Sequence, residues 1–146
     1  MKKVRAKEPA TLPKGKGETI LLVEDAKRLR QAMRDILESL DYQVLVAANG
    51  QDALEVYRSA AEAHSKRGQG RVDLLIADLV MPVMGGQQLL QTLREETPDL
   101  KALAITGYVG RTDPQALKEA GFLDVVHKPF DADYLARVVR HALDGD

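Results

Sequence analysis

The amino-acid sequence predicts an α/β domain in which five helices cover both faces of a doubly wound, five-stranded parallel sheet. Two observations lead to this prediction. Short apolar runs rich in Val, Ile and Leu alternate along the chain with segments whose apolar residues recur at helical spacing. These runs alternate little with polar residues, which is typical of strands covered on both faces. Regular strand–helix alternation favours a parallel sheet with helices on its two sides.

Each element follows from a local pattern. The predicted strands are 19–23 (TILLV), 42–47 (YQVLVA), 72–77 (VDLLIA), 100–105 and 124–127. The predicted helices are one with the apolar stripe Leu29, Met33, Ile36, Leu37 and Leu40, then 52–63, 86–96, 114–121, and one with the face Leu135, Val138, Val139 and Ala142. Asp113 and Asp131 are placed to cap the last two helices. Asn49-Gly50 is a turn signal, and the polar segment 64–70 (HSKRGQG) predicts a surface loop.

Composition limits the classes of function. The 146 residues suit one domain, which we place at 19–146, after a flexible tail or linker at 1–18 that holds few apolar groups. A net charge of −1 gives no electrostatic reason to expect nucleic acid or a membrane surface as partner. No apolar run approaches the roughly 18 residues that span a bilayer. The absence of cysteine excludes thiol chemistry, and together these features favour a cytoplasmic protein.

Polar side chains follow four of the predicted strands at the point where each ends. Glu24 and Asp25 follow the first strand, Asp78 the third, Thr106 the fourth and Lys128 the fifth. In doubly wound sheets the carboxyl ends of the strands form the functional edge. Three carboxylates there would repel one another unless cations were present. Lys128 supplies one positive charge, and Mg²⁺ (or Mn²⁺), which prefers oxygen ligands, would supply the rest.

Such a cluster suits phosphoryl transfer. A carboxylate can act as the nucleophile and form an aspartyl phosphate, while cations and hydrogen-bond donors stabilise the phosphoryl oxygens. Asp78 is the predicted nucleophile, because it stands alone on the central strand opposite the other two acids.

Each of these residues also has a purely structural interpretation. Asp78 could be a helix N-cap, and Glu24-Asp25 could complement a helix dipole. Thr106 before a glycine is an ordinary strand end, and Lys128-Pro129 could be only a turn. The joint occurrence of all of them at strand ends favours a functional site.

Four motifs, in order, carry a resemblance to a known family. They are ILLVED (20–25), LLIADLVMPVMGG (74–86), ALAITGY (102–108) and HKPF (127–130). With these motifs the chain resembles a response-regulator receiver domain of two-component signalling over residues 19–143. The resemblance implies the flavodoxin-like strand order 2-1-3-4-5.

The resemblance also implies a role for each site residue. Glu24, Asp25 and Asp78 are expected to bind Mg²⁺ together with the backbone carbonyl of Val80. Asp78 is then the phosphoacceptor, while Thr106 and Lys128 bind the phosphoryl group. The Lys128–Pro129 peptide bond is expected to be cis.

Four positions tune or depart from the family pattern. Val125 stands where the family usually has Tyr or Phe, so we expect phosphorylation to occur but its signal at the helix-four, strand-five and helix-five face to be altered. Val80 and Tyr108 lie two residues beyond Asp78 and Thr106, where an apolar and a bulky side chain would slow the attack of water on the phosphoryl group. The small Gly107 leaves access for a donor.

The expected function is that of a signalling module rather than an enzyme with its own small-molecule substrate. It would take a phosphoryl group from a phosphohistidine on a histidine kinase or phosphotransfer protein, and would catalyse only its own phosphorylation and dephosphorylation. A phosphorylation-independent docking domain is the alternative, kept open by Val125. A phosphatase or nucleotide-binding protein is disfavoured, because no second acid lies two residues past Asp78 and no phosphate-cradling glycine motif is present. Because the sequence ends at HALDGD, directly after the fifth predicted helix, we expect either a stand-alone receiver or the terminal receiver of a larger chain. The junction PKGKGETILLVED resembles the linker that precedes C-terminal receivers in hybrid histidine kinases, which favours the second expectation.

Overall fold

The computed structural model describes residues 12–67, 71–81, 84–107, 114–128 and 130–145, without the side chains of 64–67 and 114. Strands and helices alternate throughout. The strands are β1 (Thr19–Val23), β2 (Gln43–Ala47), β3 (Leu74–Asp78), β4 (Lys101–Thr106) and β5 (Asp124–His127). The helices are α1 (Lys27–Ser39), α2 (Gly50–Arg67), α3 (Gly86–Glu96), α4 (Pro114–Ala120) and α5 (Ala132–Asp144). In the parts of the chain that the structure covers, no helix combines the length and apolarity needed to cross a membrane.

The strands form one parallel sheet in the order β2-β1-β3-β4-β5, which confirms the predicted fold class and strand order. The register aligns the carboxyl ends of the strands. Val23 of β1 lies beside Ala77 of β3, and Asp78 lies beside Ile105 of β4. The residues that follow these pairs therefore emerge at one edge of the sheet, which is where ligands bind in doubly wound folds.

Two apolar layers hold the sheet between the helices. On one face α1 and α5 pack against the alternate residues of the strands, with Met33, Leu37, Leu135 and Val139 fully buried. On the other face α2, α3 and α4 pack through residues that include Leu54, Leu89, Leu93 and Leu117, and Phe122, which follows α4, joins this layer. Both faces of β1 and β3 are buried along their whole length, which explains why these strands are continuous apolar runs.

Helix α2 is longer than its sequence pattern predicts. It begins at Gly50 and ends at Arg67, so the predicted loop at 64–70 is wrong for residues 64–67. The side chain of Asn49 accepts a hydrogen bond from the Asp52 N–H at 2.9 Å, which caps the helix, so the predicted turn at Asn49-Gly50 leads directly into α2. The cap at Asp131 is confirmed by its bond from the Tyr134 N–H at 2.8 Å, whereas Asp113 lies outside the described residues.

The end of the predicted tail makes defined contacts with the domain. The N–H of Gly15 donates to the carbonyl of Leu40 at 2.6 Å. The Arg140 guanidinium on α5 donates to the carbonyl of Lys14 at 3.2 Å and to the carboxylate of Glu18 at 2.8 Å. These bonds place residues 14–18 across the α1–β2 turn and the last turns of α5. The domain boundary at residue 19 stays a prediction.

Gly15 provides a test of this contact. A Cβ at residue 15 would lie 2.5 Å from the ring of Tyr42, which is itself buried. We expect Gly15→Ala to lower the free energy of unfolding by about 1–2 kcal/mol, because a well-packed neighbour must move. Equilibrium urea unfolding measures this change. The exposed Lys16→Ala serves as control, and a Gly15→Ala protein as stable as the wild type would mean that the segment does not rest on Tyr42 in solution.

Candidate functional site

Three carboxylates converge at the carboxyl edge of the sheet. Glu24, Asp25 and Asp78 each offer one oxygen, and these oxygens lie within 4.8 Å of one another. Glu24 is fully buried, Asp78 is 6% exposed and Asp25 is exposed. The cluster follows directly from the register, since Glu24 and Asp78 are the residues immediately after the Val23–Ala77 pair on neighbouring strands.

Lys128 provides the positive charge that faces this cluster. Its Nζ lies 3.3 Å from Oδ2 of Asp78 and 3.5 Å from Oε1 of Glu24. Its N–H donates to the carbonyl of Thr106 at 2.9 Å, which anchors the residue after β5 to the end of β4. Burial by itself would lower the pKa of Lys128, but the charges of Asp78 and Glu24 outweigh burial, and the pKa is raised. The ammonium is therefore a permanent cation at neutral pH.

The carboxyl group of Glu24 lies in an environment that disfavours its charged form. Its Oε2 accepts a hydrogen bond from the Ala26 N–H at 2.9 Å, whereas its Oε1 is buried and has no hydrogen-bond partner among the residues that the structure describes. Burial is the largest effect on its carboxyl group and, with the charge of Asp78, raises the pKa to about 7 against the opposing effects of the Ala26 N–H and Lys128. A buried carboxylate oxygen without a donor is an oxygen that can accept a cation.

The donor set fits a hard divalent ion. Three carboxylates face one ammonium, so the site carries an excess of negative charge that Lys128 does not neutralise. Carboxylate oxygens are the ligands that Mg²⁺ prefers, and an exposed acid such as Asp25 leaves a path for the ion and its waters.

The remaining predicted residues border the same edge. Asp78 accepts a hydrogen bond at Oδ1 from the Val80 N–H at 2.9 Å, and the side chain of Val80 is 67% exposed. Thr106 is buried at the end of β4, in register with His127. Tyr108 and Pro129, and with them the predicted cis peptide bond, lie outside the described residues.

Two contacts at this edge were not foreseen in the sequence analysis. Arg30 of α1 donates from Nη1 to the carbonyl of Glu24 at 2.8 Å. A Cβ at residue 86 would lie 2.6 Å from the carbonyl oxygen of Asp78, so Gly86 lets α3 begin directly against the strand end. The sequence analysis gives Gly86 only as part of a motif. A feature that could have pointed to Arg30 is its positive charge in the first turn of a helix, where the helix dipole disfavours a cation.

Position 125 carries a valine that is partly buried beside the layer of α2, α3 and α4. Tyr134 of α5 contacts this position through its hydroxyl, which donates to the carbonyl of Val125 at 3.2 Å. Phe122 is buried in the apolar layer against which Val125 packs.

Comparison with known proteins identifies the family. The family model described as the response regulator receiver domain matches residues 20–140. The chain belongs to the response regulator receiver domain family. Receiver domains are signalling modules of two-component systems, and the family binds Mg²⁺ at an acidic cluster of the kind formed here by Glu24, Asp25 and Asp78.

Receiver-containing proteins of several kinds are similar in sequence. The sensor kinase CckA of Brucella abortus is 34% identical over 126 residues, which are 86% of this chain but 12% of that kinase. The regulatory protein DctD of Pseudomonas aeruginosa is 34% identical over 86% of this chain and 25% of its own length. The chain thus spans a minor part of these relatives, so their whole-protein activities do not follow from the similarity.

Solved receiver structures share the fold. The receiver domain of the sensor histidine kinase PA1611 from Pseudomonas aeruginosa, which has a magnesium ion in its active-site cleft, is 29% identical, with a TM-score of 0.71, over 88% of this chain and 99% of that one. The response regulator TrrA of Thermotoga maritima, solved in complex with Mg²⁺ and BeF, is 28% identical, with a TM-score of 0.69, over 86% of this chain and 98% of that one.

The raised pKa of Glu24 predicts how stability depends on pH in metal-free protein. Since the folded-state pKa of about 7 lies above the ordinary value of 4.5, the folded state holds the proton more tightly between these values, and stability falls as pH rises through this window. We expect Glu24→Gln to remove this fall and to raise stability at pH 8 by about 1–3 kcal/mol. Thermal and urea unfolding at pH 5 and pH 8 in EDTA measure it. Equal pH slopes in both proteins would contradict the assignment.

Proposed function

We propose that this receiver domain accepts a phosphoryl group onto Asp78 from a phosphohistidine of a histidine kinase or phosphotransfer protein, with Mg²⁺ bound by Glu24, Asp25, Asp78 and the carbonyl of Val80. The observation that carries the proposal is the Lys128 ammonium, which lies 3.3 Å from Asp78 and 3.5 Å from Glu24 at the sheet edge. A cation beside two carboxylates, at the open end of a parallel sheet, suits a transition state whose charge is spread over phosphoryl oxygens.

Asp78 is the best nucleophile of the three acids. The side chain of Glu24 is 1% exposed and its Oε2 is bonded to the Ala26 N–H, so it is poorly placed to reach a donor. The side chain of Asp78 is 8% exposed and its Oδ2 faces Lys128. Asp25 is exposed, and we assign it to the metal.

The proposed step forms a bond between a carboxylate oxygen of Asp78 and the donor's phosphorus, while the phosphorus–nitrogen bond of the donor breaks. With the other ring nitrogen of the donor protonated, the imidazole leaves as a neutral base, and charge is conserved. Bound Mg²⁺ would supply charge neutralisation for the phosphoryl oxygens. Lys128 would bind one phosphoryl oxygen, and the Thr106 hydroxyl would bind another.

The proposed setting is cytoplasmic, with a histidine kinase as partner. Relatives that include sensor kinases and response regulators support this partnership. A constitutive docking domain that does not use phosphorylation is a second candidate, favoured by Val125, which has no ring to move in response to Thr106.

Phosphorylation itself separates these candidates. After incubation with acetyl phosphate and Mg²⁺, we expect the intact mass of the wild type to increase by one phosphoryl group and the mass of Asp78→Ala to stay unchanged. Asp73→Asn is the matched control. Asp73 directly precedes the amino end of β3, whereas Asp78 is at the carboxyl end, so this substitution should leave phosphorylation intact. A wild type that gains no mass in Mg²⁺ would favour the docking domain, and one that gains mass without Asp78 would place the phosphoryl group elsewhere.

Val80 offers a test of the lifetime of the phosphoryl group. Its apolar side chain is 67% exposed beside Asp78, so a substitution should leave the fold intact. We expect Val80→Asn, whose amide can hold a water, to speed dephosphorylation about fivefold, equivalent to roughly 1 kcal/mol of the barrier. The decay of phosphorylated protein, followed by intact mass, measures this rate. Val80→Ile, which keeps the site apolar, should match the wild type, and an unchanged rate in Val80→Asn would contradict the role of Val80.

A further inference from the structure

Helix α1 begins without the features that usually stabilise a helix N-terminus. Its N-cap residue, Ala26, makes no side-chain capping bond, and the first turn contains no acidic residue. That turn instead carries Lys27, Arg28 and Arg30. Cations at this end oppose the helix dipole and destabilise the helix. The stability of the helix therefore does not explain why basic residues occupy its first turn.

Bonds to Glu24 take the place of the missing cap. The Ala26 N–H donates to Oε2 of Glu24 at 2.9 Å. Arg30 makes two further bonds to this turn. Its side-chain Nη1 donates to the carbonyl of Glu24 at 2.8 Å, and its main-chain N–H donates to the carbonyl of Ala26 at 2.9 Å. Both the main chain and the carboxylate of Glu24 are thereby fixed relative to α1.

These bonds decide which oxygen of Glu24 enters the site. With Oε2 bonded to Ala26, Oε1 is the oxygen that lies 3.5 Å from the Lys128 Nζ, and among the residues in the described ranges it has no hydrogen-bond partner. Loss of the Arg30 side chain would release the Glu24 carbonyl, while the Glu24 N–H would still donate to the carbonyl of Ala47 at 3.1 Å, so the turn would loosen and the hold of Ala26 on Oε2 would weaken. The orientation of a metal ligand depends on such supporting hydrogen bonds.

We infer that Arg30 is a positioning residue for the divalent-cation site, acting through the backbone carbonyl of Glu24 to present Oε1. The inference rests on the proposed function, because it assumes that Glu24 binds Mg²⁺. It assigns to Arg30 a role opposite to the one its charge would suggest. A positive charge near a cation site repels the ion, so electrostatics alone would make removal of Arg30 tighten Mg²⁺ binding.

Isothermal titration calorimetry at low and moderate salt measures whether removal of Arg30 weakens or tightens Mg²⁺ binding. Arg30→Met keeps the length and apolar stem of the side chain but removes its donors and charge. We expect it to weaken Mg²⁺ binding about tenfold. Arg28→Met removes the same charge from an exposed position of the same turn and should leave the affinity unchanged or slightly higher. Arg30→Lys, which keeps a donor and the charge, should restore part of the lost affinity.

A second measurement follows the turn in metal-free protein. Amide hydrogen exchange at Ala26 should be faster in Arg30→Met than in the wild type and unchanged in Arg28→Met, while the unfolding midpoints show that each variant is folded. If Arg30→Met is too unstable to measure, Arg30→Lys carries the test, and it should show a smaller loss in the same direction.

The outcomes distinguish the inference from the proposed function. Unchanged or tighter Mg²⁺ binding by Arg30→Met, or by Arg30→Lys where only that variant folds, would overturn the positioning role and leave the proposed function standing. A wild type that binds no Mg²⁺ would overturn both. Loss of stability with normal Mg²⁺ affinity in the folded fraction would reduce Arg30 to a structural residue.

Discussion

The interaction on which the site depends is the contact of one lysine ammonium with two carboxylates that the sheet has removed from water. Glu24 and Asp78 are buried because Glu24 directly follows β1 and Asp78 is the last residue of β3, and these two neighbouring parallel strands are covered on both faces. The β1–β3 register fixes the backbone beside both residues, so the two side chains start from the same edge of the sheet. The domain therefore holds a fixed excess of negative charge at one edge, and such a charge is stable only beside cations.

This constraint has an energetic consequence for the rest of the fold. A carboxyl group whose pKa rises to about 7 on folding destabilises the folded state at neutral pH. The destabilisation must be offset elsewhere, and the two apolar layers on the faces of the sheet provide the offset. The middle parts of the strands supply the stability, whereas their carboxyl ends hold charges whose proximity favours binding of a cation.

The sequence alone predicted much of this arrangement. Strand order, helix number and the edge that gathers Glu24, Asp78 and Lys128 follow from patterns that are local or that belong to the family. Several omissions are contacts between distant parts of the chain. The bonds from Arg140 to the segment before β1 join residues more than a hundred positions apart, and no periodicity within that segment encodes them. A local error was the loop predicted at 64–67, whose polar composition did not distinguish the last turn of α2 from a loop, because Lys and Arg are also good helix formers.

The valine at position 125 limits how a change at the site can reach the outer face. A valine has few rotamers and no aromatic ring that could turn inward. The backbone of β5 offers another physical route from the site to the outer face. Two described contacts lie on that route: the Lys128 N–H bonds to the carbonyl of Thr106 at 2.9 Å, and the Tyr134 hydroxyl bonds to the carbonyl of Val125 at 3.2 Å. A shift of the β4–β5 edge toward a phosphoryl group would move both carbonyls and would pull on Tyr134, which is partly exposed on α5. A hydrogen bond thus links β5 to α5 at the position where the family usually has an aromatic side chain.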